Sequence, residues 1–147
     1  MTRTPFMSIA AWPLVLALGL GAAPFANAAS LIITFQGIKT RSGAVMVALA
    51  GSPEAYGGKA PPAGQSRLNV TGPMVEARFQ DLEPGTYAVR AFHDLNGDGK
   101  LNTNPFGIPT EPYAFSADAR GGMGPPAWDA AAFEIKAGDH HQTIDID

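Results

Sequence analysis

The stretch PMVEARFQDLEPGTYAVRAFHD, residues 73–94, carries the clearest secondary-structure pattern in the chain. Apolar Val75, Ala77 and Phe79 alternate with polar residues, and the alternation resumes at Tyr87 after the segment DLEPGT. A period of two gives a strand one apolar face that can pack on a core. Pro followed by Gly suits the central positions of a type II turn, because Gly accepts the positive φ that this turn requires. The stretch therefore predicts two strands joined as a hairpin.

The same alternation marks two runs near the start of the chain. SLIITFQG at 30–37 and GAVMVALAG at 43–51 read as strands, and IKTRSG would join them as a second hairpin. Near the end, AAFEIK and HQTIDID are shorter candidate strands around the turn AGDHH, while SPEAYGG and PAWDAAAF each have room for one helical turn. Short strands punctuated by Gly and Pro predict an all-β fold. We expect a single antiparallel β-sandwich of about seven strands, with long loops at 50–67 and 94–127.

The first 28 residues have the features of a secretory signal peptide. A positive start at Arg3 precedes the apolar segment AWPLVLALGLGAAPF, and ANA at 26–28 is a small-residue cleavage signal. Residues 29–147 then form the β-sandwich domain. This organisation predicts a periplasmic or secreted protein with no stable membrane insertion.

Composition narrows the classes of partner. Removal of residues 1–28 leaves nine basic and thirteen acidic residues, a net charge of −4, and no Cys for a disulfide. The charges are scattered, and no basic stripe is present to neutralise phosphates, so nucleic acid is not an expected partner. We expect a monomer whose partner is a protein, a sugar or an envelope component.

Four blocks in order carry a resemblance to a known family. They are LEPGTYA at 82–88, HDLNGDGKL at 93–101, GIPTEPYAFS at 107–116 and PAWDAAAF at 126–133. Through these four blocks the chain resembles the exported bacterial proteins of domain-of-unknown-function family 2141. The resemblance implies an immunoglobulin-like or transthyretin-like sandwich, and it implies no activity, because function resides in sites and not in folds.

The block HDLNGDGKL also contains part of a calcium-loop pattern. An EF-hand loop places oxygen donors at positions one, three, five, seven and nine, a Gly at six and a bidentate Glu at twelve. Position twelve here is Pro105, and no helix is predicted on either side, so an EF-hand is excluded. A D-x-N-x-D-G turn after a strand also occurs in calcium-binding sandwich repeats, where a distant carboxylate completes the shell. The predicted metal ligands are Asp94, Asn96, Asp98, the carbonyl of Lys100, Asn102 and Glu111.

A metal-free loop is the alternative to this calcium site. Asp, Asn and Gly also form polar turns, since their side chains cap backbone amides and they tolerate left-handed conformations. Lys100 and two Asn ligands lower the negative charge of the site, so calcium would bind with a dissociation constant of about 0.1 to 1 mM. The sequence leaves both alternatives open.

His93 and Asp94 raise the question of an enzyme. With His140 and His141 they would form a metal or acid–base cluster, which would make the protein a small metal-dependent hydrolase. Adjacent strand residues point to opposite faces, however, and His93 shares the apolar face of its strand. The favoured interpretation is a non-enzymatic binding or structural module in which His93 closes the edge of the core and hydrogen-bonds into the following loop.

The aromatic residues of the last two blocks have two interpretations as well. Aromatic side chains can line a pocket for a sugar or an apolar ligand, or they can fix long loops over the open end of a sandwich. Loop fixation is the favoured interpretation. The residues concerned are Tyr113, Phe115, Trp128 and Phe133.

Overall fold

The computed structural model describes residues 28–147, and its regular structure is dominated by strands. The eight strands are β1 Ala29–Gln36, β2 Ala44–Ala50, β3 Gly64–Asn69, β4 Val75–Leu82, β5 Gly85–Asp94, β6 Tyr113–Phe115, β7 Phe133–Ile135 and β8 Gly138–Asp145. The two helices are single turns, α1 Pro53–Tyr56 and α2 Trp128–Ala131, and a short 3-10 helix spans Ser116–Asp118. The predicted signal peptide, apart from Ala28, lies outside the described residues.

The strands form two sheets packed face to face. One has three strands in the order β4-β1-β8, and the other has five, in the order β3-β2-β5-β6 with β7 pairing to β5. Every second residue of β1, namely Leu31, Ile33 and Phe35, is fully buried between the sheets. Full burial of such a side chain stabilises the fold by about 1.5 to 3 kcal/mol. The predicted all-β sandwich is confirmed, with one exception to antiparallel pairing, because β1 and β8 run parallel.

Both predicted hairpins are wrong. β4 pairs with β1 and β5 pairs with β2, so the 73–94 stretch crosses from one sheet to the other, and so does the connection between β1 and β2. Strands of both sheets have one apolar face, and periodicity therefore predicts the strands without predicting their partners. The positive φ at this corner belongs to Asp81 and not to Gly85, which excludes the predicted type II turn.

A tyrosine stabilises the corner between β4 and β5. The hydroxyl of Tyr87 donates a hydrogen bond to the carbonyl of Glu83 at 2.7 Å, while the ring of Tyr87 packs into the main core. This arrangement resembles the tyrosine corner found in other sandwiches. The LEPGTY segment therefore turns the chain between two sheets.

Other differences concern the edges of the sheets. β3 begins within the predicted loop 50–67 and ends two residues beyond it, β6 lies within the predicted loop 94–127, and β8 begins at Gly138, within the predicted turn AGDHH. β3 and β6 are short, and each borders only one other strand of the five-stranded sheet. Both predicted helical turns are confirmed as α1 and α2. Within residues 28–147, no helix has the length and apolar character needed to cross a membrane.

Candidate functional site

The loop after β5 is organised around the carboxylate of Asp94. This side chain is almost fully buried, and its two oxygens accept the backbone N–H groups of Gly97 at 2.7 Å and Gly99 at 2.9 Å. Both glycines have positive φ, at 79° and 76°, a conformation that side chains other than Gly rarely adopt. Asp94 thus folds the DLNGDG turn back onto the end of its own strand.

Glu111 holds the same loop from its far end. One carboxylate oxygen accepts the N–H of Leu95 at 2.8 Å, and the other accepts the N–H of Asn102 at 3.0 Å. Glu111 is 7% exposed, so these charge-assisted bonds lie in a partly desolvated environment. Glu111 therefore contacts the DLNGDG loop through backbone N–H groups, and its predicted role as a metal ligand stays a prediction.

The exposed side of the loop contains a second polar group, formed by Asn96, Asp98 and Asn102. Asn102 donates from its amide to Asp98 at 2.9 Å, and Asn96 donates to the amide oxygen of Asn102 at 3.0 Å. The side-chain bond from Asn102 and the backbone N–H of Lys100 lower the pKa of Asp98. These three side chains thus bond mainly to one another, on the surface of the loop.

The six predicted metal ligands therefore have two different surroundings. Asp94 and Glu111 direct all four carboxylate oxygens at backbone N–H groups, whereas Asn96, Asp98 and Asn102 form the exposed group, which Lys100 joins through its N–H. Within the described part of the chain, no three His, Cys, Asp or Glu side chains are placed to hold a metal. Calcium binding by this loop stays a prediction.

His93 is a buried residue at the edge of the core. It is 1% exposed, and its Nε2 lies 2.6 Å from the carbonyl of Ser42 in the connection between β1 and β2. A carbonyl oxygen only accepts, so Nε2 carries the hydrogen in this contact. The side chain of His93 therefore bonds to the connection before β2, while its backbone N–H donates to the carbonyl of Pro112, at the end of the loop that follows β5, at 2.8 Å.

The other two histidines lie in a different sheet. His140 and His141 belong to β8, where they pair in register with Leu31 and Ile32 of β1. The Nε2 of His140 is 2.7 Å from the carbonyl of Lys136. His140 and His141 are therefore not on a strand that pairs with the strand of His93.

A second, smaller core covers one end of the outer face of the five-stranded sheet. Ala50 and Ala88 pair there, and Tyr56 of α1 packs over them. The ring of Tyr56 meets Trp128 edge-to-face at 5.8 Å, and its hydroxyl donates to the carbonyl of Pro126 at 3.1 Å. These contacts agree with the favoured prediction that Trp128 fixes a loop.

Ser116 ties this small core to the sheet. It is fully buried, accepts the N–H of Val89 at 2.8 Å, and donates to the carbonyl of Ala131. Phe115 beside it packs on Tyr56, with ring centroids 6.2 Å apart. The 3-10 helix and α2 are therefore held against β5 by one hydroxyl group.

Between the DLNGDG loop and the small core, the outer face of the five-stranded sheet is open. Strand register places its side chains in two rows. Each row crosses four strands and contains four side chains, one from each strand. One row is Arg67, Met46, Phe92 and Tyr113, and the other is Gln65, Ala48, Arg90 and Phe115.

These rows form the floor of a groove of about 510 Å³. Gly99, Lys100 and Leu101 of the loop line one end, and Phe115 connects the other end to the small core. Ligand sites for small molecules have volumes of about 300 to 1,000 Å³. We name this feature the outer-face groove, defined by the two rows and these three loop residues.

The sequence predicted part of the outer-face groove only through the alternative to loop fixation, in which Tyr113 and Phe115 line a ligand pocket; the strands that complete the groove were not predicted. A further signal was the alternation in β5, where Arg90 and Phe92 point away from the buried residues Val89 and Ala91. The strand order of the sheet determines which strands flank β5. In this order, β3 and β6 contribute side chains to the same sheet face.

Fold and groove together define the class: a β-sandwich module with one sheet face framed by loops. The chain belongs to a family described as an uncharacterized protein conserved in bacteria (DUF2141), whose model matches residues 33–143. The resemblance noted from the four sequence blocks is thereby confirmed. No curated protein and no solved structure matched the chain in the corresponding comparisons.

Proposed function

We propose that this protein is an exported, non-enzymatic binding module and that the outer-face groove is its ligand site. The observation that carries the proposal is the groove itself, where half-buried aromatic and polar side chains remain open between two structured ends. Most ligand sites combine apolar and aromatic walls with a few polar groups, and they are largely preformed. The candidate ligands are a sugar, a peptide segment of a partner protein or an envelope component.

The arrangement of His93 and Asp94 supports a non-enzymatic role. Each is 1% exposed, and each makes hydrogen bonds to the backbone of a neighbouring segment. A general acid or base needs to reach a proton of the substrate. Both side chains therefore fit the role of structural supports for the groove wall and the core edge.

The loop provides a rigid wall for the groove. Asp94 and Glu111 fix four backbone N–H groups of residues 95–102, the segment that contains Lys100 and Leu101. A preformed wall reduces the entropy lost when a ligand binds. Calcium bound at the exposed group of Asn96, Asp98 and Asn102 would further restrain this segment. The proposed calcium affinity is weak.

A fragment screen by NMR tests the proposal. Small neutral and charged fragments are added to isotope-labelled protein, and we expect the shifted backbone amides to cluster on β2, β5 and β6. Ala48→Trp places a large ring on the groove floor and should abolish these shifts. Thr34→Trp is the matched control, because Thr34 is a half-buried residue of β1 in the other sheet. Hits that map outside the groove, or that persist in Ala48→Trp, would contradict the proposed site.

A further inference from the structure

The charge lining the outer-face groove is opposite to the net charge of the protein. Arg67, Arg90 and Lys100 line the groove, and its lining contains no Asp or Glu. The chain as a whole has a net charge of −3. A cleft lined by one sign of charge attracts ligands of the opposite sign.

These three cations form no salt bridge within residues 28–147. The salt bridges of that part of the chain are Arg78 with Glu76 and Arg120 with Asp147, both at 3.0 Å. Residues 1–27 contain no Asp or Glu that would supply a further partner. Lys100 does lie close enough to Asp98 to contribute to the lowered pKa of that carboxyl group. Among the residues that line the groove, Arg67 and Arg90 therefore remain the positive charges that have no carboxylate partner within residues 28–147.

Arg90 is already held in position on the groove floor. One guanidinium nitrogen donates to the carbonyl of Tyr56 at 2.6 Å, and Cζ lies 5.8 Å from the centroid of the Tyr56 ring. A guanidinium has five N–H donors, so the contact with Tyr56 leaves others available. A fixed Arg loses less side-chain entropy when it binds an anion, and its planar fork matches a carboxylate or phosphate.

Beside Arg90 the groove offers flat apolar surfaces. Phe92 and Tyr113 are neighbours in one row, and Tyr113 meets Phe115 edge-to-face with ring centroids 5.9 Å apart. All three rings are half-buried, so each keeps some surface open to a ligand. Aromatic faces bind flat rings with a gain beyond area burial alone.

We propose that the outer-face groove binds a small organic anion that carries one flat ring. Its carboxylate or phosphate pairs with Arg90 and with Arg67 or Lys100, and its ring lies against Phe92 and Tyr113. The groove volume of about 510 Å³ suits a ligand of this size. This inference rests on the proposed function, because it names the ligand class of the same groove.

Matched probe pairs test the charge requirement. The full chain is titrated by NMR with benzoate and its neutral counterpart benzamide, with glucuronate and neutral glucose, and with phenyl phosphate. Benzoate and phenyl phosphate carry the flat ring and distinguish a carboxylate from a phosphate, whereas glucuronate is an anion without a flat ring and tests the ring requirement. We expect benzoate or phenyl phosphate to shift the groove amides with millimolar affinity, as is usual for about ten non-hydrogen atoms, and benzoate to bind roughly tenfold more tightly than benzamide.

Variants locate the charge. The double variant Arg67→Gln/Lys100→Gln should weaken binding of the anion roughly five- to tenfold, since it removes two partly solvated charge partners. Arg90 is left intact because it bonds to Tyr56. Arg78→Gln, on β4 of the other sheet, also removes an exposed arginine and should leave the affinity unchanged.

The possible outcomes test the class of ligand separately from the location of the binding site. Equal affinity for benzoate and benzamide at the groove, or an anion affinity that the double variant does not change, would overturn the anionic ligand and leave the groove as a binding site. No shift of the groove amides with benzoate or phenyl phosphate would overturn this inference, even if glucuronate or glucose shifted them. In that case the fragment screen with Ala48→Trp still decides the proposed function independently.

Discussion

Glu111 and Asn102 are joined across the base of the loop that follows β5. A carboxylate oxygen of Glu111 accepts the N–H of Asn102 at 3.0 Å, and its other oxygen accepts the N–H of Leu95 at 2.8 Å. The two ends of the DLNGDG segment are therefore held by one side chain. Asp94 bonds inside the same segment, to Gly97 and Gly99. The buried carboxylates of Asp94 and Glu111 thus determine the conformation of this loop.

Replacement of Asp94 by Asn tests this arrangement. The amide has one acceptor oxygen where the carboxylate has two, and its NH2 group would face a backbone N–H. A buried donor without a partner costs about 1 to 3 kcal/mol, and more when a charged acceptor is lost. We expect Asp94→Asn to lower the free energy of unfolding by about 2 to 4 kcal/mol in urea denaturation. Faster hydrogen exchange at Gly97 and Gly99 should accompany this loss.

Asp98→Asn is the matched control for that experiment. It makes the same change of charge in the same loop, but Asp98 is exposed. Substitutions at exposed positions usually change stability by about 0.5 kcal/mol or less. Equal losses in the two variants would contradict the role assigned to Asp94.

The predicted calcium site has its own test in thermal unfolding. At ten times its dissociation constant, calcium would stabilise the folded state by about 1.4 kcal/mol. We expect millimolar calcium to raise the unfolding midpoint by several degrees relative to chelator, because about 1 kcal/mol shifts a domain of this size by roughly 4 to 8 °C. Magnesium at the same concentration controls for ionic strength.

Asp98→Asn and Asp94→Ala serve as the variants for calcium. Both should lose the calcium-dependent rise of the midpoint, since each removes a predicted ligand carboxylate. A midpoint that calcium leaves unchanged in the wild type and in both variants would refute the site.

His93 separates a structural role from a catalytic metal site. His93→Ala removes the bond to the carbonyl of Ser42 and opens a cavity, so we expect a loss of about 2 to 4 kcal/mol in the free energy of unfolding. Elemental analysis of protein purified without a nickel column should give the same zinc and manganese content for this variant and the wild type. Stoichiometric zinc or manganese in the wild type, lost in His93→Ala, would instead support the hydrolase alternative.

Alkaline pH should destabilise the protein through Tyr56 and Tyr87. Burial raises the pKa of both phenols above 10.0; the carboxylate of Glu83 adds to the rise at Tyr87, and Arg90 opposes it at Tyr56. Below about pH 10 both states keep these groups neutral, and the full stability is present. Above it the unfolded chain ionises first, so stability falls as the pH rises through the folded pKa values.

Urea midpoints measured from about pH 9 to 11 test this dependence, together with ultraviolet absorbance of the phenolate. The double variant Tyr56→Phe/Tyr87→Phe should be less stable at neutral pH, because it lacks the bonds to Pro126 and Glu83, and its stability should fall less steeply above pH 10. An identical pH slope in the variant and the wild type would show that other groups dominate.

The local pattern of this chain was sufficient for its fold class and its family. Alternation in β1, β2, β4 and β5 predicts the strands, because a buried sheet face requires apolar residues at every second position. The polar DLNGDG turn was also predictable, since Asp and Gly at these spacings cap backbone N–H groups, whereas Glu111 was predicted as a calcium ligand and its bonds to the N–H groups of Leu95 and Asn102 were not. Both features depend on short-range chemistry.

Only the tertiary structure decided which strands pair and what lies on the open sheet face. The corner at Tyr87 directs β5 into the other sheet, and no periodic signal distinguishes this from a hairpin. Arg67, Arg90 and Tyr113 come from three strands well separated in sequence. The two rows to which they belong exist only once β3, β2, β5 and β6 lie side by side. Pairing between strands that are distant in sequence brings the residues of one binding face together. The alternation within a single strand shows only which of its residues share a face.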